Sequence, residues 1–330
     1  MSEALVRDAV KKLRAGGITW LREKEPMSRH TTMRAGGAAD CFILVRSADE
    51  LIECLRVLSE TGIKFFFMGA GSNLIVSDEG FDGAIIKGGG EFDRIEPCGE
   101  HCGEGEACVS AGSSAKLSAL LRFARKNSLS GCAFLHGIPG TVGGAIKMNA
   151  GTAYGEIGGI VKSIELVNGG LALRHIEREH AGFGYRSSSI PDDAFVTKAV
   201  LVLKKSGGGD DEIIKSLEEK RGLQPKGFSN AGSIFKNPPS GESAGALIDK
   251  AGLKGSRIGG AMVSESHGNF IVNTGGARAG DILRLLIRIR EEIFRRTNIM
   301  LETEVRIIGR GSLVKEAVGA VSNRDGDKIR

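Results

Sequence analysis

The chain has 330 residues, with 45 Lys and Arg against 40 Asp and Glu and a formal net charge of +5. That length accommodates two or three domains with cores of their own, and 26% charged with 41% hydrophobic residues excludes a disordered chain. No apolar stretch approaches the ~18 residues that span a bilayer, and aromatics at 5% supply little base-stacking surface, so neither membrane insertion nor nucleic-acid binding is expected.

Residues 1–17 contain no uninterrupted apolar core and are not read as a secretory signal; Leu5, Val6, Ala9, Val10 and Leu13 mark one side of an amphipathic helix instead. Residues 38–87 read as strand, helix, strand, loop, strand. CFILV (41–45) is the first apolar run, and Ser47-Ala48-Asp49-Glu50 is a capping box opening a helix that ends near Gly62. IKFFFM (63–68) is a buried strand broken by Gly69-Ala70-Gly71-Ser72-Asn73; LIV (74–76) and AIIK (84–87) follow, with a turn at Phe81-Asp82-Gly83. In residues 92–206, Ala107–Ser110 is strand-like, Ser113 or Ser114 caps a helix running to Arg125, and Gly137–Gly151 is a glycine-rich loop entering a short helix. VKSIELV and LALRHI form a hairpin around Asn168-Gly169-Gly170, and residues 194–205 close the segment as a strand. Ser206-Gly207-Gly208-Gly209-Asp210-Asp211 is the linker. Beyond it come a helix over 211–221 ended by Pro225, a short helix near 243–251 and two short strands around 260–273. A helix over 281–296 carries Ile282, Leu286, Ile289 and Ile293 on one stripe, LETEVRIIG (301–309) is a strand, and the rest is a tail. The chain thus divides into 1–92, 93–206, 207–310 and a tail, 311–330, with no internal repeat.

With no export signal, the six cysteines are expected as reduced thiols in the cytoplasm. Cys98, His101, Cys102 and Cys108 cluster, but the spacing has no second half-site, so they read as a loop with incidental thiols and no metal is expected. Glycine is the outlier: 49 residues, about 15% of the chain, placed where backbone turns sharply or approaches something closely.

Gly69-Ala70-Gly71-Ser72-Asn73-Leu74 begins like a dinucleotide fingerprint but lacks the third glycine and leads into a strand, not a helix. It is either an anion nest or a plain tight turn. Gly137-Ile138-Pro139-Gly140-Thr141-Val142-Gly143-Gly144-Ala145 enters a helix, where amides attract phosphate; close helix packing is the alternative. Gly241-Glu242-Ser243-Ala244-Gly245 matches a hydrolase elbow as text, yet Pro238-Pro239 replaces the strand that should precede it, so Ser243 reads as a helix cap. Three polar sites remain. Tyr185-Arg186 is an aromatic–basic pair, and Ser233 sits in the small-residue loop Asn230–Pro238. In LETEVRIIG a period of two places Glu302, Glu304 and Arg306 on one face, as a surface pair or as an acid with an anion binder.

Together GAGSNL, GIPGTVGGAIKMNAG, GYR, NAGSIFKNP, IGGAMVSESHGNFIVN and LETEVRIIG, in this order from His30 to Gly309, resemble the UDP-N-acetylenolpyruvoylglucosamine reductase (MurB) family. The resemblance implies an α+β fold: a two-lobed FAD-binding domain of the vanillyl-alcohol-oxidase (PCMH) type, its lobes 1–92 and 93–206, then an α/β substrate-binding domain, 207–310. It implies non-covalent FAD, NADPH as hydride donor, and a UDP-sugar enolpyruvyl ether as substrate, in a cytoplasmic monomer. Gly69, Ala70, Gly71, Ser72, Asn73 and Leu74, the second loop's Gly137, Ile138, Pro139, Gly140, Thr141, Gly143, Gly144 and Ala145, and also Arg306, would hold FAD. Arg186 would bind the substrate carboxylate, Ser233 would donate a proton and Glu304 would support Arg186. Tyr185, Lys220, Arg221, Gln224, Lys236 and Asn237 would touch substrate, with Lys236 a helper of Ser233. Only 46 residues separate Arg186 from Ser233 and no Tyr follows Tyr185, so the chain resembles the family's shorter, second subtype. The competing classes are an FAD-linked alcohol or hydroxy-acid oxidase and a non-catalytic nucleotide-binding protein.

Overall fold

The computed structural model describes residues 3–205, 210–239 and 241–319. They fall into two compact units, each assembled from separate stretches of chain. The first takes the described residues of Met1–Glu23, Cys41–Ala70 and Gly83–Gly222; the second takes Lys24–Asp40, Gly71–Asp82 and those of Leu223–Arg330.

The amino-terminal part builds α1 (Glu3–Ala15), β1 (Leu21–Pro26), β2 (Ala38–Val45), α2 (Ala48–Thr61), β3 (Phe65–Met68), β4 (Leu74–Val76) and β5 (Phe81–Gly88). Val6, Ala9, Val10 and Leu13 of α1 are buried, as their spacing requires. Ser47 Oγ accepts the Glu50 N–H at 3.2 Å, but the Glu50 carboxylate reaches back to the Arg46 amide rather than to that of Ser47. Phe81-Asp82-Gly83 is not a turn: β5 begins at Phe81, and the chain reverses at Ser77–Gly80, where the Gly80 N–H donates to the Ser77 carbonyl at 2.9 Å. β1, β2, β5 and β3 form one sheet in that order, β3 parallel to β5.

Next come β6 (Ile95–Pro97), β7 (Glu106–Gly112), α3 (Leu117–Lys126), α4 (Val142–Lys147), β8 (Gly151–Thr152), β9 (Gly155–Glu156), β10 (Val161–Val167), β11 (Leu173–Glu177) and β12 (Phe195–Lys204). The expected hairpin is present, and the larger sheet runs β11-β10-β12-β7-β6, antiparallel throughout. The cap of α3 is Lys116, not Ser113 or Ser114: the helix starts only at Leu117, and the two serines are held short of it by amide bonds to the carbonyls of Thr197 and Phe92. Within this unit Phe195 of the larger sheet packs edge-on against Phe67 and Phe92, both at 5.1 Å, so the two lobes share apolar core. Cys102 and Cys108 are not free thiols. The β6–β7 pairing continues to a Cys98 N–H bond onto the Cys108 carbonyl, and the turn beyond returns Cys102 to a Cα–Cα distance of 5.9 Å from Cys108, where the two form a disulfide.

The linker's Ser206–Gly209 lie outside the described residues. α5 (Asp210–Gly222) belongs to the first unit and does not open the next one: the Asp210 carboxylate accepts the Gly131 N–H at 3.2 Å, and Ser216 Oγ lies 2.6 Å from the Tyr154 hydroxyl.

The second unit adds β13 (Ser229–Asn230), α6 (Ala244–Lys250), β14 (Arg257–Ile258), β15 (Ala261–Val263), β16 (Ile271–Asn273), α7 (Ala279–Thr297), β17 (Arg306–Ile308) and α8 (Ser312–Gly319). The sheet β13-β16-β15-β14 and the buried stripe of α7 share one core. The N-cap of α7 is Arg278, which has no side-chain oxygen; Asp281 accepts the Arg278 N–H at 3.0 Å, and Asp78 accepts the Ala279 and Gly280 amides at 2.8 Å each. β17 pairs in parallel with β4, Leu74 opposite Arg306. Only Arg306–Ile308 of LETEVRIIG is regular strand, not the whole of 301–309; residues 301–305 are held by Ile234 and Lys236, with Thr303 in an isolated antiparallel bridge to Phe235 and with Leu301 and Val305 buried while Glu302 is exposed. α8 falls in the expected tail because Arg290, 2% exposed, donates to the Ala317 carbonyl at 2.6 Å. Among the described residues no helix is long and apolar enough to cross a membrane.

Candidate functional site

In the first unit the two glycine motifs meet. Gly69 follows β3, and a Cβ there would come within 2.7 Å of Thr141 Oγ1, the cap of α4. Gly143 and Gly144 differ. A Cβ on Gly143 would lie 2.8 Å from Ser113 Cβ, and the Gly143 and Val142 amides already donate to the Ser113 and Ala115 carbonyls. Gly143 is therefore bare for helix packing, and these two amides are not offered to a ligand. Gly144 is exposed, with only Thr141 Oγ1 at 3.5 Å from such a Cβ. Gly137, at φ +69, lies under the Arg221 guanidinium, whose Cζ is 2.5 Å from where a Cβ would stand. Arg221 Nε is buried with no hydrogen-bond partner among the described residues, and burial pushes the guanidinium pKa down. The space beside Gly144, whose amide donates to Thr141 Oγ1 at 3.4 Å, and the unpaired Arg221 Nε over Gly137 suit a polyanionic group such as a pyrophosphate. Gly69 and Ala70 of the first motif belong to this unit; Gly71, Ser72, Asn73 and Leu74 belong to the second.

Arg186 is anchored in the first unit. Its backbone is left-handed at φ +53, Nη2 donates to the Gly151 carbonyl at 3.0 Å, and Nη1 lies 4.0 Å from Glu156 Oε1. Tyr185 presents its ring to the guanidinium at 5.2 Å. The segment is fixed by Asn149, 2% exposed, whose Nδ2 donates to the Gly184 carbonyl at 2.9 Å and to Glu156 Oε2 at 2.8 Å. Asn149 and Glu156 escape a reading of the sequence; their one signal is that Asn149 lies within the GIPGTVGGAIKMNAG run, two residues before its end. Lys220 lies 5.0 Å over the Tyr154 ring.

In the second unit Ser233 and Glu304 are brought together through backbone. The Glu304 N–H donates to the Ile234 carbonyl at 2.8 Å, and Asn73 Nδ2 donates to the Glu304 carbonyl at 3.0 Å. The Arg306 amide donates in turn to the Asn73 carbonyl. Three motifs far apart in sequence thus interlock. Ser233 is half-buried between Ala231 and Ile234, which are 2% and 1% exposed. Lys236 pairs with Glu302 at 2.5 Å, which directs its ammonium to that carboxylate. Asn237 Oδ1 accepts the Ala244 amide, and Ser243 Oγ accepts the Ala246 amide at 3.2 Å, so Ser243 is a helix cap. Gln224 is half-buried in this unit. Asn269, which sequence reasoning missed, bonds the backbone just after Ser233.

Comparison with known proteins agrees with both halves. Residues 39–171 match the family model described as FAD binding domain, and residues 224–308 match the one described as UDP-N-acetylenolpyruvoylglucosamine reductase, C-terminal domain. The protein named UDP-N-acetylenolpyruvoylglucosamine reductase in Pelobacter propionicus is 43% identical over 290 residues, 86% of this chain and 94% of its own. That of Desulfosudis oleivorans is 41% identical over 86% of this chain and 93% of its own. The crystal structure of UDP-N-acetylenolpyruvylglucosamine reductase (MurB) from Thermus caldophilus superimposes with a TM-score of 0.73 at 38% identity, over 87% of this chain and 99% of that one.

Proposed function

Because the chain belongs to the UDP-N-acetylenolpyruvoylglucosamine reductase (MurB) family, an FAD-dependent oxidoreductase of peptidoglycan precursor synthesis, we propose that it reduces UDP-N-acetylglucosamine enolpyruvate to UDP-N-acetylmuramate with NADPH. When bound, FAD supplies the relay of hydride from NADPH to the enolpyruvyl carbon. The chain's own residues deal with what that addition leaves behind, which is negative charge on the neighbouring carbon and its carboxylate. Arg186 binds the carboxylate oxygens, where a guanidinium fork stabilises developing charge most. Ser233 Oγ donates the proton to the carbon beside the carboxylate. Glu304 supports the charge balance around that intermediate. Lys220, Arg221 and Gln224 contact the diphosphate of the substrate, and Tyr185, Lys236 and Asn237 also touch substrate. The observation that supports this reading best is the Glu304 N–H bond to Ile234, which ties the proposed acid's segment to the proposed carboxylate.

The purified protein is expected to be yellow and to release FAD into the supernatant on acid precipitation. Under nitrogen, NADPH should bleach it and the enolpyruvyl substrate should restore the colour. Bleaching by alcohols or hydroxy acids, with oxygen as the oxidant, would establish the oxidase instead; a colourless preparation would establish a binding protein. We further propose a cytoplasmic monomer, which light scattering at the chain mass of 34.8 kDa would test.

A further inference from the structure

The sheet strand that leads to Ser233 stops short of it. β13 pairs with β16 only through Ser229 opposite Asn273 and Asn230 opposite Val272. Had the ladder continued, the next residues would be fixed by backbone pairing with no need of side chains. Instead the chain bulges. Gly232 takes φ +76, its N–H donates to Asn230 Oδ1 at 3.0 Å, and the regular contacts resume only at Ile234.

Past the break, one side chain joins the backbone bonds that Ile234 and Lys236 make to Glu304 and Glu302. Asn269 is 4% exposed. Its Oδ1 accepts the Phe235 N–H at 3.0 Å, its Nδ2 donates to the Phe235 carbonyl at 2.8 Å, and its own carbonyl accepts the Ile234 N–H at 2.9 Å. A buried amide is costly unless its groups are matched, and here both ends are spent on one remote residue. The Asn269 N–H in turn donates to His267 Nδ1 at 3.2 Å, and the His267 ring rests edge-on against Phe270 at 4.9 Å. From the opposite side the Ile234 carbonyl accepts the Glu304 N–H.

A serine hydroxyl lies one side-chain torsion from the backbone, so its position is the position of the backbone. We propose that Asn269, braced by His267, is a positioning residue that sets Ser233 for proton delivery by clamping Ile234 and Phe235 beside the bulge. The proposal rests on Ser233 being the proton donor, as read above. It assigns no contact with substrate to Asn269 itself.

The test uses the FAD-loaded enzyme and three variants: Asn269→Ala, Ser233→Ala and the double variant. In Asn269→Ala, flavin reduction by NADPH should keep its wild-type rate and substrate its wild-type KM. Substrate-driven reoxidation should slow by about 10²-fold, the cost of a displacement of about 1 Å at a reacting group. Added to Ser233→Ala, the same change should cost less than about threefold more, because there is no longer a hydroxyl to place. Hydrogen exchange should show the Phe235 amide losing protection in Asn269→Ala. Full additivity in the double variant would overturn the proposal, since a purely structural loss would add. So would normal reoxidation in Asn269→Ala alongside slow reoxidation in Ser233→Ala. Normal reoxidation in Ser233→Ala would remove the proton-donor reading itself, a distinct failure. If Asn269→Ala does not fold, Asn269→Asp, which keeps the shape and the Phe235 N–H bond, is read by the same criteria. Failure of both to fold would assign Asn269 to the core and end the proposal.

Discussion

In the GYR segment the charged residue bears the unusual backbone itself: Arg186 sits at φ +53 and its guanidinium finds the Gly151 carbonyl and Glu156 with its own long side chain. In the NAGSIFKNP segment the unusual backbone falls on Gly232, at φ +76, and Ser233 stays outside that region. The contrast follows from side-chain length. An arginine has enough rotatable bonds for its head to be placed by the head's own hydrogen bonds. A serine has one, so the chain must be placed for it. Fixing Arg186 therefore takes partners at the end of the side chain, and fixing Ser233 takes partners along the backbone.

The strongest way to break this contrast is Ser233→Ala. Substrate-driven reoxidation should fall by roughly 10²–10⁴-fold, the usual contribution of a positioned general acid, while reduction by NADPH keeps its rate in stopped flow. Ser233→Cys should recover part of the loss; equal slowing of both half-reactions would sink the assignment. Arg186→Ala should cost about 10²–10³-fold in the same half-reaction. Because the guanidinium is placed by its own contacts, added guanidinium ion should restore some activity to Arg186→Ala, and no small alcohol should rescue Ser233→Ala. If both or neither is rescued, side-chain length is not what separates the two sites.

Smaller effects sharpen the same idea in the glycine loop. Gly143→Val should destabilise the FAD-free protein by about 1–3 kcal/mol through overpacking on Ser113, measured by denaturant unfolding. Gly144→Val should leave that stability nearly unchanged and weaken FAD binding in a fluorescence titration. Equal behaviour of the two would mean the loop acts as one packing element. Ser243→Ala should cost about 1 kcal/mol of stability through the lost cap and leave both half-reactions alone. The smallest effect is a pH dependence. Burial first, then Lys254, pushes the His267 pKa below its ordinary value, and its neutral Nδ1 accepts the Asn269 amide. The unfolded chain therefore takes up this proton first, so the stability is complete above the unfolded pKa of about 6.5 and is lost as pH falls below it. The ring is partly solvated, which keeps the effect near about 1–2 °C of melting temperature between neutral pH and about 5.5, and His267→Phe should lack it.

Local chemistry was legible in the sequence. Ser47 before α2, Ser243 before α6 and the β10–β11 hairpin each follow from residues within a few positions. β1 was not legible, because LREKEP is a charged edge strand with no apolar alternation to betray it. Gly143 and Gly144 look alike as letters and differ only in what stands opposite them. The motifs pointed to Ser233, Glu304 and Arg186, but Asn149 and Asn269 were invisible as positioning groups, since each acts on backbone remote in the chain. LETEV read as part of one strand by its alternation, but its pairing is a single antiparallel bridge to a loop about seventy positions earlier, and the regular strand begins only at Arg306.

The pairing of β4 with β17 sets a timetable for making this protein. Leu74 cannot reach its strand partner until Arg306, roughly 230 positions later, has been synthesised. Helices and hairpins close as they emerge, but this parallel pair waits for everything between its two strands, and such distant pairings are the slow ones. Asn73, whose carbonyl accepts the Arg306 amide, waits with it. A ribosome that stalls or terminates before Arg306 releases a chain whose first glycine motif has no finished second half. Early truncation products should therefore be recognisable by their failure to retain flavin, even when the α-helical and antiparallel parts of the first unit have formed.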